Sequence, residues 1–241
     1  MSLAIVRSRV GNGLAAPEVG VEVHLSNGLP SFSIVGLPEA AVRESRERVR
    51  SALLNSGFDF PTRRITVNLA PADLPKEGGR FDLPIALGIL AASDQLPPAC
   101  LDGLECLGEL GLGGELRPVR GVLTATLAAV RCSRTLVLPL DNAEEAALVA
   151  GVDLLPAQHL TELTAHLSGK EPIVPVNRVP TQPKSSPEPD LCDVRGQHLG
   201  RRGVELASAG GHDLLLIGPP GCGKTMLAER LPGLLPPMTE A

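Results

Sequence analysis

The feature that most constrains this chain is a glycine-rich loop placed between an apolar run and a helix-forming segment. The run Asp213 to Ile217 reads D-L-L-L-I, which predicts a fully buried strand, and a helix is predicted from Lys224 to Arg230. The loop matches the pattern G-x-x-x-x-G-K-[ST] without a gap. Strand, loop and helix in this order predict a phosphate-binding loop made of Gly218, Pro219, Pro220, Gly221, Cys222, Gly223, Lys224 and Thr225.

Each part of this loop has a physical task in binding the phosphates of ATP. Glycines at 218, 221 and 223 permit backbone angles closed to residues with a Cβ, so amides can turn inward around phosphate oxygens. The following helix points its free N–H groups and the positive end of its dipole at the same anion. Lys224 is expected to reach the β- and γ-phosphates, and Thr225 to offer its hydroxyl to Mg²⁺. Cys222 is expected only to fill a variable position.

A complete P-loop ATPase also needs an acid at the end of a second strand, which helps to hold Mg²⁺ and to orient the attacking water. No apolar run ending in Asp or Asp-Glu follows Thr225 in the sequence, and no arginine finger can be placed. The upstream run Leu136 to Asp141 is interrupted by Pro139. The sequence therefore predicts the N-terminal part of a longer ATPase, with a nucleotide-binding site and no catalytic residue of its own.

Composition excludes several classes of function. The formal net charge is -5, so a strongly basic nucleic-acid-coating domain is excluded, whereas a local basic patch is not. Trp and Tyr are absent and there are four Phe, which argues against a stacking platform for single strands. Five Cys without a C-x-x-C pair predict a reduced protein, and the absence of a signal peptide or an apolar span predicts a cytoplasmic one with no membrane partner.

The composition and hydrophobic pattern of the sequence divide the chain into two α/β parts joined by a proline-rich segment. Strands alternate with helices over residues 1–170, which predicts a layered α/β domain. Six prolines within 171–190 disfavour helices and ladders, so this segment is predicted to be a linker and 191–241 the start of an αβα P-loop domain. The predicted strands are 3–10, 18–25, 31–36, 64–69, 104–110, 135–138 and one near 154; the predicted helices are 39–55, 81–92, 122–131, 142–150, 160–167 and 197–209.

Three local signals refine these elements. Asn27-Gly28 predicts a hairpin turn that pairs the second strand with the third. Gly57 stands where a helix-ending glycine belongs. Asp82 is the predicted N-cap of the helix that has Pro84 in its first turn.

Several stretches together identify a family. Residues 193–197 (D-V-R-G-Q), 209–221 and 226–237 resemble the AAA+ module of Mg-chelatase-like ATPases, and most closely the YifB/ComM family. The stretches 33–38 (S-I-V-G-L-P), 67–73 and 75–78 (P-K-E-G) are also typical of that family, so the resemblance covers nearly the whole chain. It implies an ATP- and Mg²⁺-dependent motor that assembles as a homo-hexameric ring and acts on DNA, as in branch migration during natural transformation.

The same resemblance implies that the first domain is similar to the proteolytic domain of Lon proteases, a two-layer α/β fold that uses a Ser-Lys dyad. Pro75 to Gly79 stands in place of the motif before the nucleophile, and the nucleophile position is Arg80. Pro118 to Val122 matches the run before the lysine, and the lysine position is Leu123. A guanidinium cannot serve as nucleophile and Leu cannot serve as base, so a shared fold without peptidase chemistry is expected.

Two groups of basic residues keep two interpretations open. Lys76, Arg80 and Arg120 either form a binding site for a polymer or partner, or are ordinary surface residues or ion-pair partners of Glu77 or Asp82. Arg43, Arg46 and Arg50, with Arg63 and Arg64 beyond, either face DNA or belong to a solvated helix with interleaved glutamates.

Two other functions compete with the DNA motor. One is an ion-insertion ATPase subunit of the Mg-chelatase type. The other is an ATP-dependent, protease-related protein, which the residues at positions 80 and 123 oppose.

Overall fold

The computed structural model describes residues 2–11, 15–173 and 189–236. The chain forms two compact units, Met1–Pro180 and Thr181–Ala241. Most of the predicted linker, residues 174–188, lies outside the described residues.

The first unit is built from strands and helices that alternate along the chain. Its strands are β1 (Ser2–Arg9), β2 (Glu18–Ser26), β3 (Ser31–Val35), β4 (Arg64–Ala70), β5 (Leu104–Cys106), β6 (Glu109–Leu110), β7 (Leu116–Arg117), β8 (Thr135–Pro139) and β9 (Leu154–Ala157). Its helices are α1 (Ala40–Asn55), α2 (Asp82–Ala92), α3 (Val122–Arg131), α4 (Ala143–Ala146) and α5 (Leu160–Leu167). Short 3₁₀ turns lie at Pro98–Leu101 and Leu140–Asn142.

Seven of these strands form one mixed sheet in the order β3-β4-β2-β1-β5-β8-β9. The pairs β3–β4, β1–β5, β5–β8 and β8–β9 are parallel, whereas β1–β2 and β2–β4 are antiparallel. Strands β6 and β7 form a separate antiparallel pair. The predicted α/β class is confirmed.

The predicted hairpin between the second and third strands is wrong. β4 lies between β2 and β3 and pairs with both of them. Helix α1 connects β3 to the parallel β4, and the returning strand takes the place beside β2 that a hairpin would have filled. The Asn27-Gly28 dipeptide produces a bend, and it does not decide which strand is the neighbour.

Two apolar clusters hold the sheet. The larger one joins the alternate buried residues of β1, β2 and β4 to α1, α2 and α5, and includes Val21, Val67 and Ile85. The smaller one joins α3 and α4 to β8 through Ala125, Leu138 and neighbouring residues. The β3-β4-β2-β1 half therefore has one covered face, whereas β8 is buried on both faces.

Helix α1 ends as its sequence predicts. Gly57 has a φ of +82°, and its N–H donates to the Leu54 carbonyl at 3.1 Å. The Phe58 N–H donates to the Leu53 carbonyl at 3.0 Å, which completes a Schellman motif. Only a residue without a Cβ adopts this φ readily, so the glycine signal was informative.

Helix α2 begins differently from the prediction. Its N-cap is Phe81, and Asp82 is the first helical residue, with a fully buried carboxylate. That carboxylate accepts a hydrogen bond from Arg48 Nε at 2.6 Å, and one from the Ser45 hydroxyl. Asp82 therefore ties α2 to α1 and does not cap its own helix, because a partner guanidinium from another element is within reach.

Two further elements are shorter than predicted. The expected strand 104–110 is divided into β5 and β6, because the Gly108 N–H donates to the Arg80 carbonyl at 3.1 Å and turns the chain out of the sheet. The expected helix 142–150 is reduced to the four residues of α4, since a 3₁₀ turn precedes it.

The second unit contains α6 (His198–Gly210), α7 (Lys224–Ala228) and 3₁₀ turns at Leu191–Asp193 and Pro232–Leu234. Leu191, Val194, Val204 and Leu227 form its buried cluster. The helices approach closely at Gly200, where an added Cβ would lie 2.7 Å from a terminal methyl carbon of Leu227.

The predicted buried strand 213–217 is wrong. These residues have no regular secondary structure, and Leu215 and Ile217 are 80% and 86% exposed. The described part of this unit contains no strand that could pair with them. A central strand must bond to neighbours on both sides, and an apolar run alone cannot satisfy its backbone groups.

Candidate functional site: the glycine-lysine loop and the region around Arg80

The glycine-lysine loop comprises residues 218–225. Two of its three glycines have the left-handed backbone angles that the sequence predicts. Gly221 and Gly223 have φ values of +81° and +85°, in the left-handed region. At Gly218, which has no left-handed φ, an added Cβ would lie 2.9 Å from the Cys222 sulfur, so that side chain would have to shift. Within the described residues, the amides of Gly221, Cys222 and Gly223 donate to no protein acceptor.

The side chain of Lys224 folds over this loop. Its Nζ donates to the Gly218 carbonyl at 2.8 Å and to the Pro219 carbonyl at 2.7 Å. The ammonium also lies 3.5 Å from the Cys222 sulfur. The lysine is partly exposed, so its charge is held by neutral carbonyls beside solvent and can turn to an anion placed in the loop.

The donors of this loop fit a nucleotide phosphate chain with its magnesium ion. The loop offers a lysine ammonium, unpaired amides and the exposed Thr225 side chain at the start of α7. Gly221 has open space where a Cβ would stand, so the backbone can approach an oxygen closely. These are the groups that hold phosphate in loops of this kind, and a threonine hydroxyl is a ligand that Mg²⁺ accepts.

Two contacts that support the loop were not predicted from the sequence. Gln197 donates from Nε2 to the Cys222 carbonyl at 3.0 Å, which links the start of α6 to the loop. Arg230 donates to the Asp190 carbonyl at 2.9 Å and lies 3.6 Å from the Asp193 carboxylate, which anchors the chain after α7. Gln197 and Arg230 lie in the family-typical stretches 193–197 and 226–237, but the motif did not indicate which groups they contact.

In the first unit, Lys76 is a buried structural residue. Its side chain is fully buried, and Nζ donates to the Pro71 carbonyl. Burial lowers the pKa of Lys76, and the charge of Asp73 opposes that effect only in part. The predicted ion pair between Lys76 and Glu77 or Asp82 is not formed, since Asp82 is bonded to Arg48.

Arg80 and Arg120 lie together beside a cavity of about 390 Å³. The Arg80 guanidinium donates to the Arg120 carbonyl and, at 3.3 Å, to the Arg9 carbonyl. Burial lowers the pKa of Arg80, and the charge of Glu77 counteracts this in part. Leu123 lies in the first turn of α3, and its N–H donates to Glu145 at 3.2 Å.

The basic surface of α1 is only partly available. Arg50 lies over the ring of Phe60, 5.4 Å from its centre, and Arg46 donates to the Phe32 carbonyl at 3.4 Å. The side chain of Arg43 lies outside the described part of the structure. Arg48 pairs with Glu44 one turn away at 3.9 Å, as in the solvated-helix interpretation, and its other bonds run inward to Asp82.

A partly buried network of charged side chains joins strands β1, β2 and β5, and no sequence motif predicted it. Glu105 is fully buried and accepts hydrogen bonds from Arg9 at 2.7 Å and from Arg134 at 2.9 Å. Arg134 also bonds to Glu18 at 2.7 Å. The network lies on the face of the sheet opposite α1 and α2, and its residues are far apart in sequence.

Two sequence profiles link this chain, an α/β unit followed by a helical unit with a glycine-lysine loop, to Mg-chelatase-like proteins. A sequence profile described as "Subunit ChlI of Mg-chelatase" matches residues 21–142. A second profile, "Magnesium chelatase, subunit ChlI", matches residues 190–241.

Known relatives are similar over the whole chain. Protein YifB of Salmonella typhimurium is 52% identical over 241 residues, covering 99% of this chain and 47% of YifB. The competence protein ComM of Haemophilus influenzae is 54% identical over 246 residues, covering 100% of this chain and 48% of ComM. The chain spans about half the length of these relatives. It belongs to the YifB/ComM family of Mg-chelatase-like proteins.

No helix in residues 2–11, 15–173 and 189–236 is both long and apolar enough to span a bilayer. The cytoplasmic location stays a prediction.

Proposed function

We propose that the loop 218–225 binds ATP with Mg²⁺, and that the chain is the nucleotide-binding part of an AAA+ ATPase. The observation that carries this proposal is the Lys224 ammonium folded over a loop whose amides at 221–223 are unpaired. When bound, the magnesium ion would neutralise phosphate charge. Lys224 would move from the Gly218 and Pro219 carbonyls to the phosphates, and Thr225 would supply its hydroxyl to the metal.

The test is a titration of fluorescent ATP with Mg²⁺ against the whole chain and its Lys224→Ala variant. We expect weak binding by the native chain and an affinity at least about tenfold lower for the variant, since one charge-assisted bond contributes about 1.5–3 kcal/mol. Lys170→Ala, at an exposed position in the first unit, is the matched control. Equal affinity of native chain and Lys224→Ala would refute the phosphate-loop assignment.

The same proposal expects slow turnover. The sequence after Thr225 contains no apolar run that ends in Asp-Glu. Without that acid, the residues present can bind and orient the nucleotide and cannot orient the attacking water. Rapid hydrolysis of ATP by this chain, lost in Lys224→Ala, would show that a catalytic acid is present after all.

We also propose that the complete ATPase is a homo-hexameric ring that acts on DNA. The support is the family, the name of ComM as a competence protein and the exposed arginines of α1. Contact with DNA would depend on charge, because Trp and Tyr are absent and the net charge of the chain is -5. Affinity of this chain for duplex DNA should therefore be weak and should fall steeply with salt.

The test of the DNA proposal compares the native chain with Arg43→Ala, Arg46→Ala and Arg50→Ala combined, across a salt series. Loss of three phosphate contacts should reduce the logarithmic salt slope by about 2–3, with ATP binding unchanged. A control triple variant at the exposed Arg131, Lys170 and Arg202 keeps the same net charge as the test variant. Identical slopes for the native chain and the α1 variant would place the DNA contact elsewhere.

A chelatase subunit is the second candidate, because both matching profiles carry that description. It predicts that a porphyrin with Mg²⁺, and not duplex DNA, changes the ATP affinity of the chain. The same fluorescent titration with each addition distinguishes the two functions.

A further inference from the structure

The cavity beside Arg80 has fixed walls. It is lined by Glu77, Gly78, Gly79, Arg80, Glu109, Pro118, Val119 and Arg120. On one side, the Asp82 N–H donates to the Gly79 carbonyl at 2.9 Å, which closes the turn into α2. On the other side, the amide of Asn142 donates to the Val119 carbonyl at 3.0 Å and accepts from its N–H at 2.9 Å. Both walls are held by bonds to other elements, so the cavity is part of the fold.

The guanidinium of Arg80 enters this region without a counter-ion. Its two hydrogen bonds go to the neutral carbonyls of Arg9 and Arg120. Among the described residues, no carboxylate lies within ion-pair distance of it. A guanidinium has five N–H donors, so several remain available to a ligand. A partly desolvated cation held only by neutral groups attracts an anion.

Residues with unpaired backbone donors line the same space. The amides of Gly78, Gly79 and Arg80 make no hydrogen bond to another group within residues 2–11, 15–173 and 189–236. Gly78 has a φ of +71°, which turns the chain sharply at this point. Successive free amides next to a left-handed residue commonly form an anion-binding concavity. The guanidinium of Arg80 and the amides of 78–80 are therefore all N–H donors from one loop, and all of them can bind an anion.

The acids at the cavity decide which anion fits. Glu77 is exposed at its edge and Glu109 lies against Gly79 in its wall. Glu77 and Glu109 balance the charges of Arg80 and Arg120 in the lining, so the cavity favours an anion of low charge, such as a single carboxylate, over a chain of phosphates. Pro118 and Val119 provide apolar contact next to the donors. A volume of about 390 Å³ accommodates one or two amino-acid residues.

We propose that this cavity binds the free carboxyl terminus of a peptide whose last side chain is apolar. Arg80 and the amides of 78–80 would hold the carboxylate, and Pro118 and Val119 would contact the last side chain. The preceding peptide units would leave the cavity past Glu77. This site is in the first unit and is independent of nucleotide binding by the loop around Lys224.

The experiment is an NMR titration of the isotopically labelled whole chain with acetyl-Ala-Ala-Val. We expect the amide signals of Gly78, Gly79 and Arg80 to shift, and binding by the C-terminal amide of the same peptide to be at least about tenfold weaker. Acetyl-valine alone, inorganic phosphate and a short DNA duplex are the other probes. Equal binding of the acid and the amide would refute the carboxylate site. Tighter binding of phosphate or DNA at these amides would refute the peptide.

Acetyl-valine that binds as tightly as the tripeptide would also overturn the peptide assignment, in favour of a site for small carboxylic acids.

Three variants separate binding from folding. Arg80→Gln should lose binding, whereas Arg131→Gln, at an exposed position on α3, should leave it unchanged. Glu77→Gln removes a repelling charge and should tighten binding of the acetylated peptide about two- to threefold. A misfolded variant cannot produce that gain. Unchanged or weaker binding by Glu77→Gln, or full binding by Arg80→Gln, would refute the proposal.

Discussion

Two short apolar runs of this chain have similar composition, but one forms a buried strand and the other is exposed. Thr135–Pro139 forms β8, bonded to β5 on one side and β9 on the other and covered on both faces. Asp213–Ile217 has no strand partner in the described part of its unit and exposes most of its side chains. A buried strand is thus a property of a run together with its neighbours, since the neighbours satisfy the backbone groups.

The two lysines in glycine-containing loops show the same contrast. Lys76 and Lys224 both donate to backbone carbonyls. Lys76 does so fully buried in the first unit, whereas Lys224 does so at a partly exposed surface. The first ammonium is fixed by its surroundings and the second is free to change partners. Burial therefore distinguishes a structural lysine from a ligand-binding one.

The largest expected difference between the units concerns their ion pairs. Glu105→Ala leaves the buried Arg9 without its carboxylate and should lower the free energy of unfolding by about 3–5 kcal/mol. Glu205→Ala removes the exposed partner of Arg202 in α6 and should change it by less than about 1 kcal/mol. Urea unfolding of both variants provides the measurement. Similar losses in the two variants would mean that burial does not separate these pairs.

A matched pair of leucine truncations tests the contrast between the two runs. Leu138→Ala, in β8, should lower the free energy of unfolding by about 2–5 kcal/mol, because a buried side chain leaves a cavity. Leu215→Ala should change it by less than about 0.5 kcal/mol, since that side chain is 80% exposed. If Leu215→Ala proves as damaging as Leu138→Ala, the run 213–217 is buried in the protein in solution.

A smaller effect is expected from the titration of Lys76. Burial lowers the pKa of Lys76 below the ordinary 10.5. At a pH between the folded-state pKa and 10.5, the unfolded chain therefore binds more protons than the folded one. The stability of the native chain relative to Lys76→Met should therefore rise as the pH increases towards 10.5. Lys170→Met, at an exposed position, is the control and should show no such trend. A falling or flat difference for Lys76→Met would contradict the assignment.

The smallest expected effect is the contact between Arg50 and Phe60. A double-mutant cycle with Arg50→Ala and Phe60→Leu should give a coupling of about 0.5–1 kcal/mol. A coupling near zero would leave Arg50 available to a ligand such as DNA. A coupling in the expected range would mean that a DNA contact there competes with the ring.

Local signals predicted the local structure well. Helices α1, α3 and α5 and strands β2 and β4 match the predicted bounds to within one residue, and Gly57 ends α1 as expected. These elements are strongly periodic or carry capping residues, and their bounds follow from neighbours in sequence. The shape of the glycine-lysine loop at Gly221 and Gly223 has the same local origin.

Contacts between residues distant in sequence decided the strand order and the buried ion pairs. The insertion of β4 between β2 and β3, the bond of Asp82 to Arg48 and the network around Glu105 all join residues that are distant in sequence. No local pattern predicts such pairs, because any arginine satisfies a carboxylate and any strand satisfies an edge.

By itself, the sequence determined the α/β class, the family, most of the helices and the motif of the loop around Lys224. Backbone propensities and motifs of fixed spacing depend on a few neighbouring residues, so they can be recognised directly in the sequence. Only the tertiary structure decided that Lys76 is buried, that Arg80 faces a cavity without a counter-ion and that the run 213–217 is exposed. Burial and charge pairing depend on which distant segments meet, and that is settled only when the sheet is assembled.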